Sequence, residues 1–198
     1  VNITVEAEPE QYTVTLNKQS GTGGPSSVTA TYAAAMPTIT LPTRTGYTFN
    51  GYFDATSNGT KYYNANGSSA NNWDKTSNTT LYAQWTANKY SVKFNANGGT
   101  GSMSNQSFKY DVPQQLTSNA FTRSGYTFVG WAKSSSGDVV YTNRQLVNNL
   151  TTNNNSTVNI YAIWEEKTAN TVYLKPSDEW KNDNARFAVY YWKDSENG

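Results

Sequence analysis

Hydrophobic and polar positions alternate over short stretches of this chain and then give way to runs of Gly, Asn, Thr and Ser. Tyr12, Val14 and Leu16 are separated by single polar residues, and so are Tyr90, Val92 and Phe94. A period of two places such side chains on one face of a β-strand. Glycine-rich turns follow both segments, and residues 28–32 and 106–110 then read as the returning strands of hairpins. Further strands are expected from Tyr47 and Tyr126 onward, short ones at 61–64 and 139–142, and closing ones at 80–85 and 159–164. Two helical turns are also expected. Asp111 reads as an N-cap with Pro113 in the first turn of 111–116, and Leu146 and Leu150 stand four apart in 144–150.

The pattern occurs twice. Tyr12-Thr-Val-Thr-Leu16-Asn17 lies 78 residues before Tyr90-Ser-Val-Lys-Phe94-Asn95, and Tyr32 stands at the same distance before Tyr110. One inserted residue later, Thr43-Arg44-Thr45-Gly46-Tyr47-Thr48-Phe49-Asn50-Gly51-Tyr52 faces Thr122-Arg123-Ser124-Gly125-Tyr126-Thr127-Phe128-Val129-Gly130-Trp131. The copies close with Leu81-Tyr82-Ala83-Gln84-Trp85 and Ile160-Tyr161-Ala162-Ile163-Trp164. Internal repetition of this length marks tandem modules. The chain divides into an opening segment 1–11, modules 12–88 and 89–167, and a tail 168–198. The opening segment reads either as a linker or as the last strand of a preceding module.

These blocks resemble the Listeria-Bacteroides repeat, the internalin-B-type B-repeat family. The glycine-rich turn, the Gly-Tyr-Thr-Phe-x-Gly-(Tyr/Trp) block and the Leu/Ile-Tyr-Ala-x-Trp block are present in both copies. The resemblance implies small β-grasp-like modules strung in tandem in bacterial surface proteins, without enzymatic activity. The expected fold class is therefore mainly β (α+β). Few contacts are expected across the short linker 86–89, so the modules should behave as beads.

Composition narrows the chemistry. The chain has 198 residues, no Cys and no His, and 15 basic against 14 acidic residues. Disulfides, thiol nucleophiles and His-based triads are excluded, and zinc loses its usual ligands. A net charge of +1 offers no field for a phosphate backbone, so nucleic acid is not an expected partner. Asn, Thr and Ser make up more than a third of the residues. Such polarity can signal disorder, but aromatics at 14% contradict that. The composition fits an extracellular bacterial surface. No run of 18 apolar residues is present to span a membrane. A leader sequence is not evident either, so a secreted protein would have been trimmed or excerpted.

Carboxylates are the remaining acid/base candidates. Asp54, Asp74, Asp111 and Asp138 occupy different positions in the two copies, which rules out a repeated catalytic site. Turn and cap roles are expected for them, and no catalytic, metal or cofactor site is assigned. An isopeptide crosslink through Lys93 is disfavoured, because that side chain alternates away from Val92 and Phe94. No closely spaced acidic cluster of the kind that holds calcium occurs. The aromatics that recur in register, such as Tyr52/Trp131 and Trp85/Trp164, are expected to build cores. Arg44 and Arg123 are expected to hydrogen-bond a carbonyl or carboxylate. Gly51 and Gly130, inside strands, point to a bulge or a close backbone approach.

The tail breaks the repeat. Thr171-Val-Tyr-Leu-Lys-Pro176 and Ala185-Arg-Phe-Ala-Val-Tyr-Tyr-Trp192 read as a strand pair, the second run apolar on both faces. The segment resembles the opening strand pair of β-sandwich modules similar to starch-binding ones, and two strands alone make no core. That resemblance makes Trp180, Tyr190 and Trp192 candidates for stacking on sugar rings. The expected function is a non-catalytic spacer or adhesion segment of a monomeric cell-surface protein. Its expected partner is a host or bacterial surface protein or glycan, and the alternative is a carbohydrate-binding module.

Overall fold

The structure, a computed structural model, describes residues 8–168. In the first copy the alternation becomes β1 (Gln11–Asn17), with Val14 and Leu16 buried and their neighbours turned outward. The chain returns as β2 (Ser27–Thr31), antiparallel, with Tyr12 opposite Ala30 and Val14 opposite Val28. β3 (Tyr47–Phe53), β4 (Lys61–Tyr63) and β5 (Thr79–Ala87) complete a sheet in the order β2-β1-β5-β3-β4. The last strand thus enters the middle. It runs parallel to β1, placing Leu16 beside Leu81, and antiparallel to β3. A parallel neighbour cannot be reached by a tight turn, and the intervening 32–78 supplies the crossover.

The second copy supplies β6 (Lys89–Asn95), β7 (Gln106–Lys109), β8 (Gln114–Gln115), β9 (Tyr126–Ala132), β10 (Leu146–Val147) and β11 (Ser156–Glu166). Its main sheet is ordered β7-β6-β11-β9, and β6 and β11 are parallel with Phe94 beside Ile160. β8 and β10 form a separate two-stranded ribbon.

Each sheet covers its own aromatic core. Tyr52, Tyr62, Tyr63 and Trp73 are fully buried in the first, and Trp131 with Phe94, Phe108 and Phe121 fills the second. Phe94 and Phe128 both meet the Trp131 ring at 5.0 Å between centroids. A module of this size buries a smaller share of its surface than a large domain, so big side chains must supply the core. Trp85 and Trp164 are only half-buried. Their indole N–H groups donate to the Lys18 and Ala96 carbonyls at 3.0 and 2.9 Å, tying the last long strand to the turn after the first.

The two strand glycines behave as expected. At Gly51 the β3–β5 register shifts, φ is 131°, and a Cβ would stand 2.1 Å from the Tyr63 carbonyl oxygen. A Cβ on Gly130 would meet Val139 Cγ1 at 2.5 Å and the Tyr141 carbonyl at 2.7 Å.

Three expectations are corrected. Among the described residues there is no helix. Asp111 cannot cap one, because its φ of 60° is left-handed whereas an N-cap takes an extended backbone. Pro113 biases Val112 away from the helical region, and the chain continues as β8 pairing with β10. In 144–150 the buried side chain is Val147, while Leu146 is 61% exposed, so the four-residue leucine spacing belongs to a strand and its exit. Residues 139–142 form no strand and make only a single bridge, Trp131 to Tyr141. The third correction concerns the linker. β5 ends at Ala87 and β6 begins at Lys89, and both sheets belong to one compact unit that ends at Glu166.

A candidate interaction site at the junction of the modules

Only Asn88 separates the two sheets, and it is the one buried polar residue among those described, at 8% exposure. A buried amide must satisfy its donors and acceptors. Toward module 1, its N–H donates to the Gly46 carbonyl at 2.9 Å and its Oδ1 accepts from Thr48 Oγ1 at 2.7 Å. Toward module 2, its carbonyl accepts from the Tyr110 N–H at 2.8 Å and its Nδ2 donates to the Thr152 carbonyl at 2.7 Å. All four polar groups of one residue are therefore used to fix one module against the other.

Beside it, Tyr110 at the end of β7 lies against the turn that opens β3. The Tyr47 and Tyr110 rings meet edge to face at 5.9 Å and 74°. Gly46 is buried under the Tyr110 ring, whose atoms stand 2.3 Å from where a Cβ would be. Arg44 lies with its guanidinium carbon 3.7 Å above the centre of the Tyr47 ring, a cation–π contact. The expected hydrogen bond of this arginine is limited to a 3.5 Å approach to the Gln19 carbonyl. Planar guanidinium groups stack on aromatic faces, and the tyrosine three residues on offers one.

The carboxylate of Asp111 closes the contact. It accepts from Tyr47 Oη at 2.8 Å, while Asn149 donates Nδ2 to its other oxygen at 2.8 Å and receives the Asp111 backbone N–H at 2.7 Å. The bonds from Asn149 and Tyr47, with the nearby Arg44 charge, hold the Asp111 carboxyl below the usual aspartate range. The same bond to Asp111, aided by burial, raises the Tyr47 phenol above its ordinary value.

A groove of about 350 Å³ borders this junction on module 1, lined by Arg44, Trp85, Asn50, Gln84 and Gln19 among others. Gln84 Nε2 donates to the Asn58 carbonyl at 2.7 Å and the Ala55 carbonyl at 3.1 Å, fixing the loop that forms one wall. In module 2 the places of Asn50 and Gln84 are taken by Val129 and Ile163, so only the first copy has this polar lining.

Two other acidic residues, Asp54 and Asp74, have structural partners, and Asp138 is exposed. Asp54 accepts from the Thr60 N–H at 2.7 Å and pairs with Lys75 at 3.1 Å. Asp74 accepts from the Tyr62 hydroxyl. No three His, Cys, Asp or Glu side chains gather as metal ligands among the described residues. Trp180, Tyr190 and Trp192 lie outside the described residues. Sequence reasoning missed the junction, although one signal was available: the copies agree at Tyr32/Tyr110 and then differ at Ala33/Asp111.

Comparison with known proteins places the repeat. Internalin H of Listeria monocytogenes is 36% identical over 119 residues, which cover 58% of this chain and 19% of that protein. A protein of Evansella cellulosilytica described as a Gly-rich membrane protein is 35% identical over 104 residues, 48% of this chain and 12% of its own length. The chain thus spans less than a fifth of each of these relatives. The profile of the Listeria-Bacteroides repeat domain matches residues 12–84 and again 90–163, one match for each main sheet. Two successive matches over most of its length make this chain a member of the Listeria-Bacteroides repeat family, carrying two tandem copies of the domain.

Proposed function

We propose that this chain is a non-catalytic segment of a bacterial cell-surface protein, held outside the cell, whose repeats act as a stiff spacer for an adhesive partner on a host or bacterial surface. The carrying observation is Asn88, whose backbone and side chain bond both modules at once. A flexible string of beads would leave such a residue in water, whereas a burial of this kind sets a fixed spacing per repeat. The names of the relatives, an internalin and a Gly-rich membrane protein, support the surface location. The absence of natural Cys makes the test clean. Spin labels on the pair Ser57→Cys and Ser102→Cys should report one narrow distance, and a broad distribution would refute the stiff spacer.

A second reading, glycan binding, is favoured by the polar groove beside Trp85. Side-chain amides and a guanidinium are groups that hydrogen-bond sugar hydroxyls. Affinity electrophoresis through starch and mucin glycans separates the possibilities. Retardation lost in Asn50→Ala with Gln84→Ala assigns the groove, and retardation lost in Trp180→Ala or Trp192→Ala assigns the tail. No retardation on any polysaccharide eliminates this reading.

A further inference from the structure

Module 2 presents the same three residues that receive Tyr110 on module 1. Arg123 lies 3.8 Å above the Tyr126 ring, as Arg44 lies 3.7 Å above Tyr47. Gly125 follows at φ 78°, as Gly46 does at 75°. The difference is what covers them: Gly46 is buried under Tyr110, whereas Gly125 is exposed and no described residue comes within 4 Å of where its Cβ would be. The receiving face therefore has this shape with no described residue seated on it.

The inserting element also occurs a second time. Tyr32 ends β2 as Tyr110 ends β7, and its N–H donates to the Glu10 carbonyl at 2.8 Å as that of Tyr110 donates to Asn88. The next residue is left-handed in both, Ala33 at φ 61° and Asp111 at 60°. Tyr32 is 45% exposed. We propose that Arg123, Gly125 and Tyr126 form a socket for the Tyr32 turn of a second copy of this chain, so that chains associate head to tail by reusing the contact that joins their own modules.

The occupant follows from the junction itself, which shows a tyrosine turn of this repeat seated on this set of residues. A contact between one end and the other is heterologous and does not close on itself, so it extends a row of chains rather than making a compact dimer. Two parts of the internal junction are missing between copies. Ala33 has no carboxylate to accept from Tyr126, and Lys167 stands where module 1 has Asn88. Within one chain the covalent link also supplies an effective concentration that free copies lack, so association belongs near roughly millimolar concentrations, as on a crowded surface.

Sedimentation equilibrium of the full chain up to about 1 mM tests this. The expected result is reversible association that strengthens about tenfold in Ala33→Asp, which restores the missing acceptor. It should be lost in Tyr32→Ser and in Tyr126→Ser, with circular dichroism confirming that both variants are folded. No association in either the parent or Ala33→Asp would overturn the proposal, and so would association that survives Tyr32→Ser. Neither result would alter the label distance within one chain, so the spacer reading stands or falls separately.

Discussion

Tyr47 of the first repeat donates its phenolic hydrogen to Asp111 of the second across 2.8 Å, and the tyrosine is itself covered by Arg44. A phenol, a carboxylate and a guanidinium from two modules thus share one small surface, so the junction responds to pH.

The junction should loosen in acid. The Asp111 carboxyl is held below its ordinary value, so its contribution is complete above the unfolded aspartate range, near 3.9, and is lost as pH falls through the lower folded value. Tyr47 sets the opposite limit: its raised value means a contribution complete below about 10 and lost as pH climbs through the folded value. Inter-repeat label distances should be narrow between these limits and broaden on the acid side, a change that Asp111→Asn removes because its amide oxygen still accepts from Tyr47 without titrating.

Asn88→Ala should uncouple the modules. The substitution removes the bonds to Thr48 Oγ1 and the Thr152 carbonyl, a combined loss of about 1–3 kcal/mol. Urea unfolding followed by tryptophan fluorescence should change from one transition toward two. A single unshifted transition would show that Asn88 contributes nothing to the coupling.

Tyr52→Phe should be neutral or stabilising by up to about 1 kcal/mol. The Tyr52 and Tyr63 hydroxyls are buried without a hydrogen-bond partner, while their rings pack at 6.1 Å. Removing an unpaired hydroxyl keeps the packing and deletes a desolvated polar atom. Burial pushes the Tyr52 phenol up to about 12, so its neutral form supports the fold fully below about 10 and progressively less as pH rises through the folded value. Alkaline unfolding monitored by tyrosinate absorbance should therefore begin at higher pH in Tyr52→Phe.

Gly51→Ala should cost roughly 3 kcal/mol or more, since its new methyl overlaps the Tyr63 carbonyl and the backbone is left-handed. Thermal denaturation should show the first module melting early. An unchanged midpoint would mean that β3 and β4 can separate without penalty.

The strands of both main sheets were legible because Val14, Leu16, Val92 and Phe94 alternate strictly with outward residues and because one copy checks the other. The insertion of β5 and β11 beside the first strands was not, since Leu81 and Ile160 are apolar in any central strand and nothing local selects their neighbour. Asp111 and Pro113 carry a helix-start pattern, yet the left-handed turn at Asp111 and its bonds to Asn149 and Tyr47 prevail over it. The junction was hidden for a related reason. Tyr47 and Tyr110 look like ordinary repeat aromatics, and only the unrepeated Asp111 and Asn88 distinguish their surroundings.

The parallel pairing of β1 with β5, and of β6 with β11, has a mechanical consequence. When a module is pulled by its two ends, tension enters at the start of its first strand and leaves at the finish of its last. Those points lie at opposite ends of two adjacent parallel strands, so the load is carried in shear by the whole hydrogen-bond ladder at once rather than by one bond after another. Stretching single chains should give two abrupt rupture events at high force, governed by the unfolding rate, in place of gradual peeling. Each repeat would thereby resist a load applied between its two ends.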